Sequence, residues 1–260
     1  MHTATYYIDL LLSGITVGSL YALIAIGYTM VYGILRLINF AHGDIFMMSG
    51  FFMIYVSATL PMAVSIPVVL LMTVLLGVLI ERAAYKPLRS APRMSVMISA
   101  IGVSYLLQNL ATYITGGLAR PYPEISFLKK SFAIGSLNIK IITLLTPVLT
   151  ILLVIALVIF IKHTKTGMAM RAVSKDFDTA RLMGIKVNSV ITVTFIIGSF
   201  LAGVGSILYF TNYGQVSPTI GAMPGLKAFV AAVFGGIGSI PGATKAFRPG
   251  IPPEVIATVG

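Results

Sequence analysis

The chain has 260 residues, of which 57% are hydrophobic and only 10% are Asp, Glu, Lys or Arg. A soluble domain carries about 25% charged residues, so this composition excludes a soluble globule of this size and also a disordered chain. The 18 Lys and Arg against 7 Asp and Glu give a net charge of +11. In a membrane protein such an excess indicates basic cytoplasmic loops rather than nucleic-acid binding. Cysteine is absent, which excludes disulfides and thiolate metal sites.

Apolar runs along the chain predict membrane-spanning helices. A helix needs about 20 apolar residues to cross a bilayer core of about 30 Å. The predicted spans are Leu10–Ile34, Ile45–Leu60, Met62–Ile80, Met94–Ile114, Ile141–Ile161 and Val190–Tyr213, with a weaker, glycine-rich seventh at Leu226–Ile240. We therefore expect an all-α polytopic membrane protein with about six to seven transmembrane helices, some of them interrupted.

Basic residues are unequally divided between the two sets of loops. Eleven lie on one side of the predicted spans: Arg36, Arg82, Lys86, Arg89, Arg93, Lys162, Lys165, Arg171, Lys175, Arg181 and Lys186. Four lie on the other side: Arg120, Lys129, Lys130 and Lys140. The positive-inside rule places the first set in the cytoplasm and the N-terminus outside. The opposite loop, Gly116–Lys140, is expected to hold a small hairpin.

A polar stretch, Asn39–Asp44, separates the first two apolar runs. At the membrane surface it would be only a turn, whereas inside the membrane it would interrupt a helix, as in many transporter binding sites. Asp44 would then cost about 2.5–3.5 kcal/mol near the bilayer centre. The candidate pathway residues are therefore Asn39, Phe40, His42, Gly43 and Asp44. A proton relay through His42 and Asp44 is a weaker alternative.

A glycine cluster, Gly235–Gly242, follows the weak seventh run. It lacks the Lys-Ser/Thr pair of a phosphate-binding loop. It is interpreted as a re-entrant turn or a closely packed helix end, or as a second-half counterpart of the Asn39–Asp44 break. Three glycines are retained as pathway candidates: Gly235, Gly236 and Gly238.

The longest basic loop contains a short helical signal over Phe177–Met183. Ser174 and Asp176 are both suitable N-caps, and Gly184 stands where a C-cap glycine is usual. Three apolar residues are predicted to share one face: Phe177, Ala180 and Met183. Because so short a helix is not stable alone, it either lies on the membrane interface or docks on a soluble partner.

Several segments carry a family resemblance: Gly14–Gly33, Leu37–Asp44, Glu81–Arg89, Lys165–Val173, Asp178–Ile185 and Val233–Ala243. They closely resemble the permeases of branched-chain amino acid ABC importers of the leucine/isoleucine/valine H type. The segment Asp178–Ile185 is similar to the family's cytoplasmic "EAA" loop, the coupling helix that docks on the ATPase. Asp178 stands for the usual Glu, and Thr179 for the first Ala.

The resemblance implies a membrane-spanning permease subunit of an ATP-driven importer for branched-chain or related amino acids. It implies a multi-pass protein of a prokaryotic inner membrane that is not itself an enzyme and holds no cofactor. The implied partners are a second related permease, two cytoplasmic ATPases that use the ATP, an extracytoplasmic substrate-binding protein and the lipid bilayer, without nucleic acid. The alternatives are a urea or short-amide permease, an ion-coupled secondary transporter, and a truncated, non-functional permease.

The same resemblance assigns coupling to the ATPase to seven residues: Phe177, Asp178, Thr179, Ala180, Arg181, Gly184 and Ile185. Residues 1–243 are expected to form the transmembrane domain. Family members usually continue with further apolar helices, whereas residues 244–260 hold three prolines and two basic residues and cannot form a span. We therefore expect residues 244–260 to form an atypical tail, as in a truncated or chimeric chain.

Overall fold

The computed structural model describes residues 2–35, 39–89, 91–134 and 137–234. Its helices are, in chain order, α1 (His2–Leu35), α2 (His42–Ser57), α3 (Met62–Ile80), α4 (Arg93–Thr115), α5 (Ser126–Lys129), α6 (Ile141–His163), α7 (Lys165–Lys175), α8 (Phe177–Leu182), α9 (Val187–Tyr213) and α10 (Ala222–Phe234). A π-helical turn, Glu81–Tyr85, continues α3. The glycine cluster and the tail at residues 244–260 lie outside the described residues.

Five of the described helices are long and apolar enough to cross a membrane: α1, α3 with its π-helical turn, α4, α6 and α9. They confirm the predicted all-α polytopic fold. The second predicted span corresponds to α2, which has only 16 residues. At 1.5 Å per residue it is about 24 Å long, shorter than a hydrocarbon core of about 30 Å. The weak seventh span corresponds in part to α10, whose described part has 13 residues.

Helix α9 is the centre of the bundle and packs against α1, α2 and α3. Small residues allow these close contacts. A β-carbon added at Gly77 of α3 would lie 1.8 Å from Oγ of Ser199, and one added at Gly203 would lie 3.0 Å from Leu70. Small residues at helix interfaces let backbones approach in membranes, where the hydrophobic effect does not drive association.

Two of the basic loops predicted to share a side, the one after α3 and the one before α9, lie at one end of the bundle, whereas Arg36 lies outside the described residues. The guanidinium of Arg89, after α3, donates a hydrogen bond to Oδ1 of Asn188 at the start of α9. At the other end, β1 (Arg120–Pro121) pairs with β4 (Gln215–Val216), and β2 (Ser131–Ile134) pairs with β3 (Leu137–Lys140). The second pair is the predicted hairpin. The compartment that each end faces stays a prediction from the positive-inside rule.

One helix of the basic loop was not predicted, namely α7. Oγ1 of Thr164 caps it by accepting a hydrogen bond from the Gly167 amide at 3.0 Å. Ser174 lies inside this helix and donates to the Arg171 carbonyl at 2.8 Å. Ser174 therefore does not cap the next helix, and Asp176 alone fills that position.

The close contact between α3 and α9 gives a test of the packing. Gly77→Val should lower the thermal unfolding temperature of the purified protein, because overpacking a closely packed interior costs about 1–3 kcal/mol. Gly102→Val in α4 is the matched control, since nothing lies within 4 Å of a β-carbon there. Equal losses in both variants would contradict this packing.

Candidate functional site

The chain break between α1 and α2 lies within the bundle. Asn39, His42 and Asp44 are each only 1% exposed. The His42 ring packs against α1, where a β-carbon added at Gly27 would lie 2.9 Å from its Nε2. Gly27 precedes the end of α1 at Leu35 by eight residues, or about 12 Å along the helix. The start of α2 therefore lies well inside the bundle, as the interrupted-helix alternative requires.

Asp44 is held in the first turn of α2 by a partner from α4. Nε2 of Gln108 donates to its Oδ1 at 3.0 Å and also to Oγ of Ser104 at 3.2 Å. The free amides and the dipole at a helix N-terminus favour a negative charge at this position. A carboxylate can accept further hydrogen bonds, so Asp44 retains the capacity to bind a cationic group.

Asn39 connects the break to the π-helical turn. The Tyr85 hydroxyl donates to Oδ1 of Asn39 at 2.8 Å, and both side chains are buried. Nδ2 of Asn39 and Nε2 of His42 are buried and have no hydrogen-bond partner among the described residues. Such groups normally bind protein, water or ligand. Phe40 differs from its neighbours, since it is 37% exposed.

Helix α10 meets the break through glycine. A β-carbon added at Gly43 would lie 2.3 Å from the Gly221 carbonyl oxygen and 3.0 Å from Cα of Gly225. The first turns of α2 and α10 are therefore in backbone contact. Sequence reasoning missed Gly221 and Gly225, although their spacing of four residues is a usual close-packing signal. The three glycines it selected, Gly235, Gly236 and Gly238, lie outside the described residues.

Helix α8 has the predicted caps at both ends. Oδ1 of Asp176 accepts from the Thr179 amide at 2.6 Å. At the other end the Ile185 amide donates to Ala180 O at 3.0 Å and the Gly184 amide to Arg181 O at 2.9 Å. This pattern is a Schellman motif, which needs a left-handed residue, and Gly184 has φ of +78°.

One side of α8 packs on the bundle and the other is exposed. Ala180 is buried, and Phe177 and Ile185 are partly buried against the core. Asp178, Thr179 and Arg181 are exposed, with a weak ion pair of 3.6 Å between the two charged residues.

The prediction that Met183 shares the buried face is wrong. The helix ends at Leu182, so Met183 is the C-cap and does not continue the helical spacing. Its side chain is 77% exposed, and that of Leu182, which was not singled out, is 87% exposed. The exposed surface of this segment therefore includes an apolar pair.

A buried ion pair begins in the π-helical turn and lies near α8. Glu81 is fully buried and bonded to the Arg89 guanidinium, and it accepts a hydrogen bond from Oγ1 of Thr192 at 3.1 Å. Burial lowers the pKa of Arg89, the Glu81 carboxylate acts in the opposite direction, and nearby Arg181 lowers it further. Arg89 thus contacts Glu81 and α9, and the positive charge of Arg181 on α8 acts on its pKa. Sequence reasoning did not select this pair.

Comparison with known proteins decides the family. The family model for the permease component of branched-chain amino acid transport systems matches residues 10–246. The chain belongs to this permease family. The matched range includes the buried break, α8 and the ion pair at Glu81.

Individual relatives of this permease chain are named as permeases of the same kind. The high-affinity branched-chain amino acid transport system permease proteins BraD of Pseudomonas aeruginosa and LivH of Escherichia coli K12 are each 41% identical to it, over 92% of this chain and 82% of the relative. A permease of Methanocaldococcus jannaschii, named as a probable branched-chain amino acid transport permease protein, is 28% identical over 86% of this chain and 73% of the relative. No solved structure matches significantly.

The hydrogen bond at the break can be tested by removing its donor. Tyr85→Phe should lower the thermal unfolding temperature, because it leaves the buried Asn39 oxygen unpaired at a cost of about 1–3 kcal/mol. Tyr105→Phe on α4 is the control, since this tyrosine is 62% exposed. An unchanged unfolding temperature for Tyr85→Phe would contradict the bond.

Proposed function

We propose that the chain is the membrane-spanning permease subunit of an ATP-driven ABC importer for branched-chain or related amino acids. It passes substrate from an extracytoplasmic binding protein to the cytoplasm, through a transmembrane domain formed by residues 1–243. It works beside a second related permease and two cytoplasmic ATPases, which hydrolyse the ATP. The family membership and the 41% identity to permeases of branched-chain amino acid transport systems support this proposal.

The observation that carries the coupling part of the proposal is the form of α8. A helix of six residues is not stable alone, yet this one is capped at both ends and exposes Leu182 and Met183 at the basic end of the bundle. An exposed apolar pair beside charged residues is typical of a docking surface. We assign this surface to the ATPase subunit.

Coupling follows the contacts from α8 into the bundle. Closure of the ATPases moves α8, and Phe177, Ala180 and Ile185 transmit the motion because they pack on the core. The adjacent Arg89–Glu81 pair is joined to the π-helical turn. That turn ends at Tyr85, which is bonded to Asn39 at the break. The charge of Arg181 on α8 acts on nearby Arg89, and the links from Arg89 to Glu81 and from Tyr85 to Asn39 are direct hydrogen bonds. Displacement of α8 therefore reaches the break through this pair and this turn.

The break supplies groups that suit a zwitterionic amino acid. The Asp44 carboxylate accepts hydrogen bonds from the substrate ammonium as the path opens. The unpartnered Nδ2 of Asn39 is a donor for the substrate carboxylate. The Gly43 contact with Gly221 and Gly225 closes this space in the present conformation, so transport requires α2 and α10 to separate.

A substitution at the end of α8 tests whether this helix couples substrate transport to ATP hydrolysis. Gly184→Val should remove substrate stimulation of ATPase activity in the assembled importer while membrane insertion persists, because a left-handed conformation costs an L-residue about 1–2 kcal/mol. Gly184→Asn is the control, since Asn tolerates this conformation better than other side chains. Normal substrate stimulation in the Val variant would exclude this role for α8.

Substitution of Asp44 tests whether the break lies on the transport pathway. Asp44→Asn should lower uptake by about tenfold or more, since a hydrogen bond to a charged group contributes about 1.5–3 kcal/mol. Asp9→Asn, at an exposed position of α1, removes the same charge away from the break. Co-purification of the ATPase subunits checks assembly, and unchanged uptake by an assembled Asp44→Asn importer would contradict the assignment.

A further inference from the structure

A basic cavity lies at the basic end of the bundle, between the π-helical turn after α3 and the first turns of α9. Its volume is about 470 Å³. The polar residues that line it beside Glu81 are Arg82, Lys86, Arg89, Asn188, Ser189 and Thr192. Three cations and one carboxylate leave a net charge of +2, from +3 and −1. The cavity therefore favours an anion.

Two of the three cations are available to bind it. Arg89 is already bonded to Glu81 and Asn188. Arg82 and Lys86 are exposed and have no acidic partner among the described residues. An arginine and a lysine one helical turn apart form a usual pair for a phosphate, because the guanidinium binds two of its oxygens and the ammonium adds a point charge. Ser189 adds a hydroxyl to the opposite wall.

The surface above the cavity is apolar and continues the same face of α3. Leu71, Leu75 and Leu79 are each more than half exposed, and their spacing of four residues places them in one row that leads to Arg82. On α9 the row from Val193, which lines the cavity, leads to Phe200, which is 37% exposed. The α3 span has a mean hydropathy of 2.7, as expected of a surface in contact with lipid.

We propose that this cavity binds the phosphate headgroup of an anionic phospholipid, with its acyl chains along the exposed leucines of α3. The order of the groups carries the assignment: an apolar row within the span, then two free cations at its end. A free phosphate would use the cations but not the leucines. An acidic segment of a soluble partner would likewise leave the apolar row unused. Basic pockets between transmembrane helices bind anionic headgroups in this way.

Native mass spectrometry of the complete purified importer tests the site. The complex is incubated with equal amounts of phosphatidylglycerol and phosphatidylcholine, and separately with inorganic phosphate. The test variant is Arg82→Gln with Lys86→Gln. The matched control is Lys162→Gln with Lys165→Gln, which removes two exposed cations from the same end of the bundle but outside the cavity.

The expected result is preferential retention of phosphatidylglycerol by the wild type and the control, with retention about tenfold or more lower in the test variant. All three proteins should contain both ATPases. Equal retention by the two variants, or no preference for phosphatidylglycerol, would overturn the lipid site. Release of the bound lipid by inorganic phosphate would replace it by a free-anion site. Loss of the ATPases from the test variant alone would replace it by a protein-docking site.

Discussion

The burial of a polar chain break inside an apolar bundle is the constraint on which the rest of the structure depends. Backbone that leaves a helix at membrane depth finds no solvent in lipid, so protein or a water-filled cavity must satisfy it. Here the His42 and Asp44 amides donate to the carbonyls of Asn39 and Ala41. The side chains of Asp44 and Asn39 accept hydrogen bonds from Gln108 and Tyr85. Helix α10 can approach only because glycine stands on both sides of the contact, at Gly43 and at Gly221. The six residues of the break, Asn39–Asp44, thus help to position α4, the π-helical turn after α3, and α10.

The same constraint connects the interior to the basic end of the bundle. Tyr85 closes a π-helical turn, a feature frequent at functional sites. The first residue of that turn is the buried Glu81, whose charge is paired by Arg89. A buried charge that loses its partner strongly destabilises the protein. Arg89 and Glu81 are also hydrogen-bonded to Asn188 and Thr192 of α9, so the pair and these bonds together constrain how α3 and α9 move relative to each other. In the proposed coupling, motion of α8 beside Arg89 reaches the break through this turn.

Local chemistry was readable from the sequence, and distant contacts were not. Hydropathy located the long spans, and the caps of α8 followed from Asp176 and Gly184, because each depends on a few neighbouring residues. The prediction for Met183 was wrong because it extended helical spacing past the C-cap. The Gly43–Gly221 contact and the Glu81–Arg89 pair depend on the packing of helices distant in sequence. The spacing of Gly221 and Gly225 is a close-packing signal, but no local pattern identifies the partner of either contact. Helix α7 is amphipathic but contains no long apolar run, so a search by hydropathy passed over it.

Accessibility of the break during turnover tests its role most directly. The chain has no cysteine, so one introduced thiol is the only one in this subunit. Ala41→Cys places it in the break, and Ala25→Cys in α1 is the control, since both alanines are fully buried. In the assembled importer, a pathway through the break predicts that ATP and loaded binding protein accelerate reaction of Ala41→Cys with a water-soluble methanethiosulfonate, but not that of Ala25→Cys. A thiol at position 41 that stays unreactive throughout active turnover would contradict that pathway.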